Sequence, residues 1–127
     1  MEWHFQNDAP IYTQLVTHFR LGIASGDYTP GERLSSVREL ALTAGVNPNT
    51  MQRALSELER DGLVHSQRTT GRFVTEDANM IETVKKELAQ TYIRRFVAEM
   101  TRLGYEKKDL AELLNSQEEE QDGQSGM

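Results

Sequence analysis

Residues 34–62 constrain the chain more than any other stretch, because they carry the start, stop and face signals of two short helices joined by one tight turn. Ser36 with Glu39 three residues later has the spacing of a capping box, which satisfies the orphan N–H groups of a helix start. Val37, Leu40 and Ala41 then give that helix an apolar face. Ala44-Gly45-Val46 is the turn, and Gly45 is free to take the left-handed conformation that ends a helix. Asn47 as N-cap and Pro48 at the first helical position open the second helix, where a missing N–H costs nothing. Met51, Ala54, Leu55 and Leu58 recur at helical spacing, and Gly62 stops the run. Helix, glycine turn, helix is the shape of a DNA-reading motif, and also of an ordinary helical hairpin in a small core.

Charge says little in bulk and more in distribution. The 127 residues include 14 Lys+Arg and 20 Asp+Glu, for a net charge of −6, the opposite of the basic footprint usual in a DNA binder. Yet no acidic residue lies between Glu39 and Glu57, or between Asp61 and Glu76, and those windows hold Arg53, His65, Arg68 and Arg72. A polyanion can meet a locally positive face on a protein that is negative overall, although two such gaps also arise by chance. The absence of cysteine excludes disulfides, thiolate catalysis and Cys-based zinc sites. No apolar run is long enough to span a membrane, and the N-terminus has neither the basic start nor the apolar core of a signal peptide. No membrane partner and a cytoplasmic location are therefore expected.

The remaining segments arrange themselves around this hairpin. In residues 1–9, Trp3 and Phe5 alternate with polar residues, a pattern of a short strand whose rings pack on the core edge. Pro10 opens a helix in its first position with Asp8 upstream as a cap, and Ile11, Leu15, Phe19 and Ile23 make its core stripe up to Gly26. His18 on that helix has no second ligand nearby and reads as a surface histidine rather than a metal site. Tyr28 to Gly31 is turn chemistry. Two β-prone runs, 63–67 and 72–75, flank a turn over 68–71, a β-hairpin signal whose tip is bracketed by Arg68 and Arg72.

Three helices followed by a hairpin is the layout of a winged helix. The expected fold is mainly α with a small β-hairpin: a winged helix-turn-helix domain over 1–77 and a C-terminal α-helical dimerisation hairpin over 78–116. The latter holds a long helix from about Met80 to Arg102, with Ile81, Val84, Leu88, Tyr92, Phe96 and Met100 on one stripe. A short helix over 107–115 follows, with Leu110, Leu113 and Leu114 apolar. Residues 117–127 are acidic, nearly devoid of large aliphatics, and expected to be disordered. There is no internal repeat, Walker loop, dinucleotide glycine pattern, His-Glu metal motif or nucleophile–base pair, so no enzyme, cofactor or metal is expected.

Pro10-Ile11-Tyr12 with Gln14-Leu15, Pro30-Gly31, Leu34 with Ser36, Arg38-Glu39-Leu40-Ala41, Gly45 to Thr50 and Glu57-Leu58-Glu59 before Gly62-Leu63 form an ordered set. Over residues 10–75 that set resembles the GntR family of bacterial transcription regulators. The short two-helix C-terminal region resembles the YtrA-like subfamily, which lacks the large effector-binding domain of its relatives. The resemblance implies a homodimeric winged-helix repressor, often of an operon encoding an ABC transporter. The chain departs from the family pattern at Ser35, where the family has proline. It departs again at the wing, where Thr69 stands for a glycine and Arg72 for a threonine.

A recognition helix meets base edges in the major groove with its N-terminal residues, here Asn47, Asn49, Thr50, Gln52 and Arg53. Asn and Gln suit adenine and Arg suits guanine, while Asn47 also reads as a simple cap. By family position Arg38 reaches bases or backbone, with a salt bridge to Glu39 or Glu57 as the alternative. Ser36 sits at a helix N-terminus that can hold a phosphate, and Arg68, Thr69, Gly71 and Arg72 make the wing contacts. The expected partner is a double-stranded DNA operator, palindromic because the dimer is two-fold. Leu88, Tyr92, Phe96, Leu110, Leu113 and Leu114 are the expected dimer contacts, since one helix pair cannot bury them all; packing of the stripe on its own winged helix is the alternative. Two other readings stay open: a winged helix used for protein interaction, and a sensor with a small-molecule pocket near Tyr92 or Arg95. The sequence names no effector.

Overall fold

The computed structural model of the chain describes residues 1–125, and their side chains as far as Gln117. The order is α1 (Ile11–Ser25), α2 (Val37–Ala44), α3 (Pro48–Arg60), β1 (Val64–Gln67), β2 (Gly71–Val74), α4 (Ala78–Arg102) and α5 (Lys107–Ser125). This is the mainly helical winged helix-turn-helix fold that the sequence implies. Among the described residues no helix is long and apolar enough to cross a membrane.

One core joins the elements up to Leu88. Leu15, Phe19 and Ile23 of α1 meet Leu40 of α2, Met51, Leu55 and Leu58 of α3, and Leu63, Val64 and Val74 around the hairpin. Fully burying a side chain of this size contributes roughly 1.5–3 kcal/mol each. The hairpin is antiparallel, with Val64 opposite Val74 and Gln67 opposite Gly71, so the loop is 68–70 and Gly71 already belongs to β2. A third segment, invisible as a strand in the sequence, completes the wing. Arg33 bridges to Phe73, the Leu34 N–H donates to the Arg72 carbonyl (2.9 Å), and the Val74 N–H donates to the Glu32 carbonyl (2.8 Å).

Several local expectations change. Pro10 is the N-cap of α1 rather than its first residue, and Asp8 does not cap it. The N-terminal arm is fixed instead by Gln14, whose side chain accepts from the Gln6 N–H (2.7 Å) and donates to the Gln6 and Ala9 carbonyls (2.8 and 2.9 Å). Residues 1–10 form no strand. Trp3 turns onto α1 and stacks on His18 with ring centroids 3.6 Å apart, while its centroid lies 5.7 Å from that of Phe19 in an edge contact. His18 is therefore half-buried rather than a surface residue, and it hydrogen-bonds the Tyr28 hydroxyl (2.9 Å). Gly22, in the middle of α1, leaves room for the Tyr28 ring, which a Cβ there would overlap.

α4 begins at Ala78, where the Asp77 carboxylate accepts from the Asn79 and Met80 N–H groups (3.0 and 3.2 Å). Its stripe is divided. Val84 is buried, and Met80, Ile81 and Leu88 pack against the core of the winged helix. The first compact unit accordingly runs to Leu88, past the boundary expected at 77, and Leu88 belongs to its own chain's core. The second unit starts at Ala89. Within it Leu110 is buried and Phe96 half-buried, whereas Tyr92 is 40% exposed, Ile93 59%, Leu113 37% and Leu114 56%. α5 continues to Ser125, through residues whose composition reads as disordered. Glu and Gln are good helix formers, so a lack of apolar residues removes burial without opposing a helix. Residues 126–127 of that expected tail lie outside the described residues.

Burial, and then the nearby positive N-terminus, lower the His18 pKa to about 4 against a weaker pull from Asp27. A base with a folded pKa below its ordinary 6.5 takes its proton more readily when unfolded. Its share of stability is whole above about pH 6.5 and is lost as the pH falls from there toward 4. Melts followed by fluorescence of Trp3, the one tryptophan, should therefore drop in midpoint between about pH 7 and 5. His18→Gln, which can still bond Tyr28, should flatten that drop. A profile that the substitution leaves unchanged would show that His18 does not set it.

Candidate nucleic-acid interface

The rotation of α3 is set by its buried side. Met51, Ala54, Leu55 and Leu58 are fully buried, so Asn49, Gln52 and Arg53 are turned outward and exposed, with Thr50 half-buried beside them. Asn47 caps the helix, its Oδ1 accepting from the Asn49 N–H (2.7 Å), and Pro48 holds the first helical position. The Gln52 amide donates to the Ser56 hydroxyl (3.2 Å). The Arg53 guanidinium carbon lies 3.6 Å from the centroid of the Tyr12 ring, on α1. Asn49, Thr50, Arg53, Ile11 and Tyr12 line one shallow cleft.

Gly45, at φ 72°, gives the left-handed turn that brings α2 against α3. Ser36 caps α2 by accepting from the Glu39 N–H (3.2 Å), and its hydroxyl donates to the Glu39 carboxylate (3.0 Å). The box is thus closed between the two side chains. Arg38 is exposed and makes no ion pair among the described residues, so neither Glu39 nor Glu57 holds it. It shares a shallow surface pocket with Val46 and Pro48 at the start of α3. A second groove, between the α2 start and the wing, is lined by Arg33, Ser35, Ser36, Gly71 and Arg72. Sequence reasoning misses Arg33. Its guanidinium lies along Gly71, where a Cβ would come within 3.2 Å of Arg33 Nε. The signal that points to it is the Pro30-Gly31 turn, which aims the next residues at the hairpin edge.

At the wing, Arg68 and Thr69 are exposed in the loop. Arg72 is not at the tip. It lies opposite Ser66 on the sheet and turns toward α3, where its Nε donates to Glu59 Oε1 (2.6 Å). The same oxygen accepts the Ser66 hydroxyl (2.5 Å). Arg72, expected from the sequence as a wing contact to DNA, is thus paired with Glu59, and its place opposite Ser66 puts residues 66 and 72 on one face of the hairpin. Burial by itself would raise the Glu59 carboxyl, but the hydrogen bonds from Ser66 and Arg72 and the Arg72 charge outweigh it and hold the pKa below its ordinary value.

A depressed carboxylate pKa means stability that is present above the ordinary glutamate range and lost as the pH falls through the lowered value. Glu59→Gln should therefore lower the melting temperature at pH 7 and cost progressively less in acid. Once the pH has fallen through that lowered value the wild-type carboxyl is itself protonated, and the two proteins should converge. Thermal melts across that range check this. A penalty equal at both ends would mean that the charge of Glu59 contributes nothing.

Residues 11–74 match the family described as bacterial regulatory proteins, gntR family. Over 112 residues the chain is 38% identical to YhcF, an HTH-type transcriptional regulator of Bacillus subtilis, spanning 88% of this chain and 93% of that one. The transcriptional repressor YtrA of the same organism is 35% identical over 94 residues, 69% of this chain and 72% of its own. A GntR family transcriptional regulator from Listeria monocytogenes has a TM-score of 0.80 at 38% identity, covering 88% of this chain and 98% of that structure. The AraR DNA-binding domain in complex with operator ORX1 has a TM-score of 0.54 at 28% identity, covering 59% of this chain and 96% of that one.

Proposed function

The chain belongs to the GntR family and is a DNA-binding transcriptional regulator, and from that premise we propose a homodimeric repressor of a palindromic operator that acts in the cytoplasm. The observation that carries the reading is the outward face of α3. Asn49, Gln52 and Arg53 are exposed in a span free of acidic residues, with the unpaired Arg38 beside the helix start. That face offers bidentate partners for adenine and guanine at the depth of the major groove. Ser36, at the capped start of α2, and Arg68 and Thr69, at the wing tip, take backbone contacts, with Arg33 added to them. YtrA is a transcriptional repressor, and the AraR domain is in complex with operator DNA. The relatives are transcriptional regulators, a role that needs no catalysis.

The second copy is recruited through the unit that starts at Ala89. Tyr92, Ile93, Leu113 and Leu114 expose apolar surface that a monomer has no use for. Leu110 is already buried and Phe96 half-buried within that unit, so they support the surface more than they form it. Leu88 serves its own core.

Affinity on an operator chosen from a random duplex pool and on a scrambled duplex, across a salt series, tests the DNA reading. Arg38→Ala and Asn49→Ala should each cost about 1–3 kcal/mol on the operator and little on the scramble. Arg68→Ala should weaken both alike and flatten the salt slope by about 0.9 for each phosphate that it no longer neutralises. If the wild type fails to prefer any sequence, the proposal gives way to a protein-interaction role. Sedimentation should show a dimer for the wild type and a monomer for the double substitution Ile93→Glu, Leu114→Glu. A wild type that is monomeric at tens of micromolar would refute the dimer.

A further inference from the structure

Two arginines of the winged helix meet carboxylates. Arg20 is 2.7 Å from Glu87, and Arg72 is 2.6 Å from Glu59. Arg53 is different. Among the described residues no acid pairs with it, and its guanidinium lies instead on the Tyr12 ring, 3.6 Å from the centroid. An aromatic face steadies a guanidinium without neutralising it, so the charge stays available to an anion. Tyr12 stands on α1, not on the recognition helix. Drawn to that ring, the guanidinium sits in the cleft between α1 and the first turns of α3. At about 3.6 residues per turn, Arg53 and Gln52 fall on opposite sides of Asn49, so the cleft is on the flank of α3 away from Gln52. Bases are met by the outward centre of a recognition helix, and phosphates flank the groove on either side of it.

We propose that Tyr12 is a positioning residue for DNA binding, holding Arg53 on the flank of α3 so that it grips a backbone phosphate instead of reading a base. The inference rests on the DNA reading above and changes one part of it: Arg53 moves from specificity to affinity. The effect comes from the ring, not from the hydroxyl. Tyr12→Phe should therefore behave as wild type, and Tyr12→Leu should behave as Arg53→Ala. A cation–π contact of this exposure corresponds to a loss of about 2- to 5-fold per site, and so about 4- to 25-fold for a dimer that engages two sites.

The experiment measures affinity of the full chain for the selected operator and for a scrambled duplex, over a salt series, for Tyr12→Phe, Tyr12→Leu, Arg53→Ala and the Leu/Ala double variant. The expected result is a similar loss on both duplexes for Tyr12→Leu and Arg53→Ala, with a salt slope flattened by about 0.9 per phosphate contact. The double variant should be no weaker than Arg53→Ala, because Tyr12 acts through Arg53. Melting temperatures establish that each variant is folded. Should Tyr12→Leu not fold, Tyr12→Met removes the ring at similar length, and the exposed Arg53→Ala still decides whether the contact is to phosphate or base. A loss confined to the operator for Arg53→Ala would overturn the proposal, as would additive losses in the double variant or a Tyr12→Phe as weak as Tyr12→Leu. A wild type without sequence preference would sink the operator reading, whereas the Tyr12–Arg53 coupling would still be scored on the scrambled duplex alone.

Discussion

Everything on the proposed DNA face depends on the burial of one stripe of α3. Met51, Ala54, Leu55 and Leu58 reach zero exposure against α1, α2 and the start of β1. A helix so packed cannot turn about its axis without pulling these groups into water, at roughly 1.5–3 kcal/mol for each large one. Rotation fixed from behind is what presents Asn49, Gln52 and Arg53 in front. Enlarging Ala54 would strain the same packing, because a well-filled core resists added methylenes as much as missing ones. Specificity on the surface is thus a consequence of fit in the core.

The second constraint is how the chain distributes its few cations. With a net charge of −6 it cannot rely on a broad basic field to draw DNA. Instead Arg20 and Arg72 are committed to Glu87 and Glu59, while Arg33, Arg38, Arg53 and Arg68 are free of ion pairs among the described residues. The committed pair at the wing has its own logic. Glu59 on α3 takes a hydrogen bond from β1 through Ser66 and from β2 through Arg72, so one carboxylate ties both strands to the recognition helix. Partly exposed pairs add little to stability. Their use here lies in geometry, since helix and wing keep a fixed spacing.

Much of this was legible in the sequence, and what was not has identifiable causes. Ser36, Gly45, Asn47 and Pro48 act locally, through caps and turns whose chemistry reads off adjacent residues, and their helices begin and end where those signals fall. The apolar stripes of α1 and α3 read equally well, because periodicity of 3.6 is a property of one segment. The Arg72–Glu59 pair spans separate elements, and no local pattern announces it. Neither does the bridge from Arg33 to Phe73, or the Trp3 ring on His18 in place of a strand. The α4 stripe misled for a related reason. Its spacing shows that one face is apolar, but not that Val84 and Leu88 serve the chain's own core while Tyr92 and Ile93 remain exposed.

The same split explains why a single helix can serve two purposes. Up to Leu88, α4 seals the winged helix, where Met80, Ile81 and Val84 close over Leu63 and its neighbours. The residues from Ala89 onward belong to a second compact unit. The division has a cause in helical phase. Val84 and Leu88 are one turn apart and share a face, whereas Ile93 falls roughly half a turn out of phase with Val84 at about 3.6 residues per turn. α4 contains no proline to kink it and swing Ile93 round. Ile93 therefore lies off the helix face that Val84 and Leu88 share, and it is 59% exposed. A charge placed there meets solvent in the free chain and a partner surface in the proposed dimer. In the proposed dimer, a charge at Ile93 would thus remove association and leave untouched the residues that pack behind α3, so that DNA reading and the proposed dimerisation would be separable by mutation.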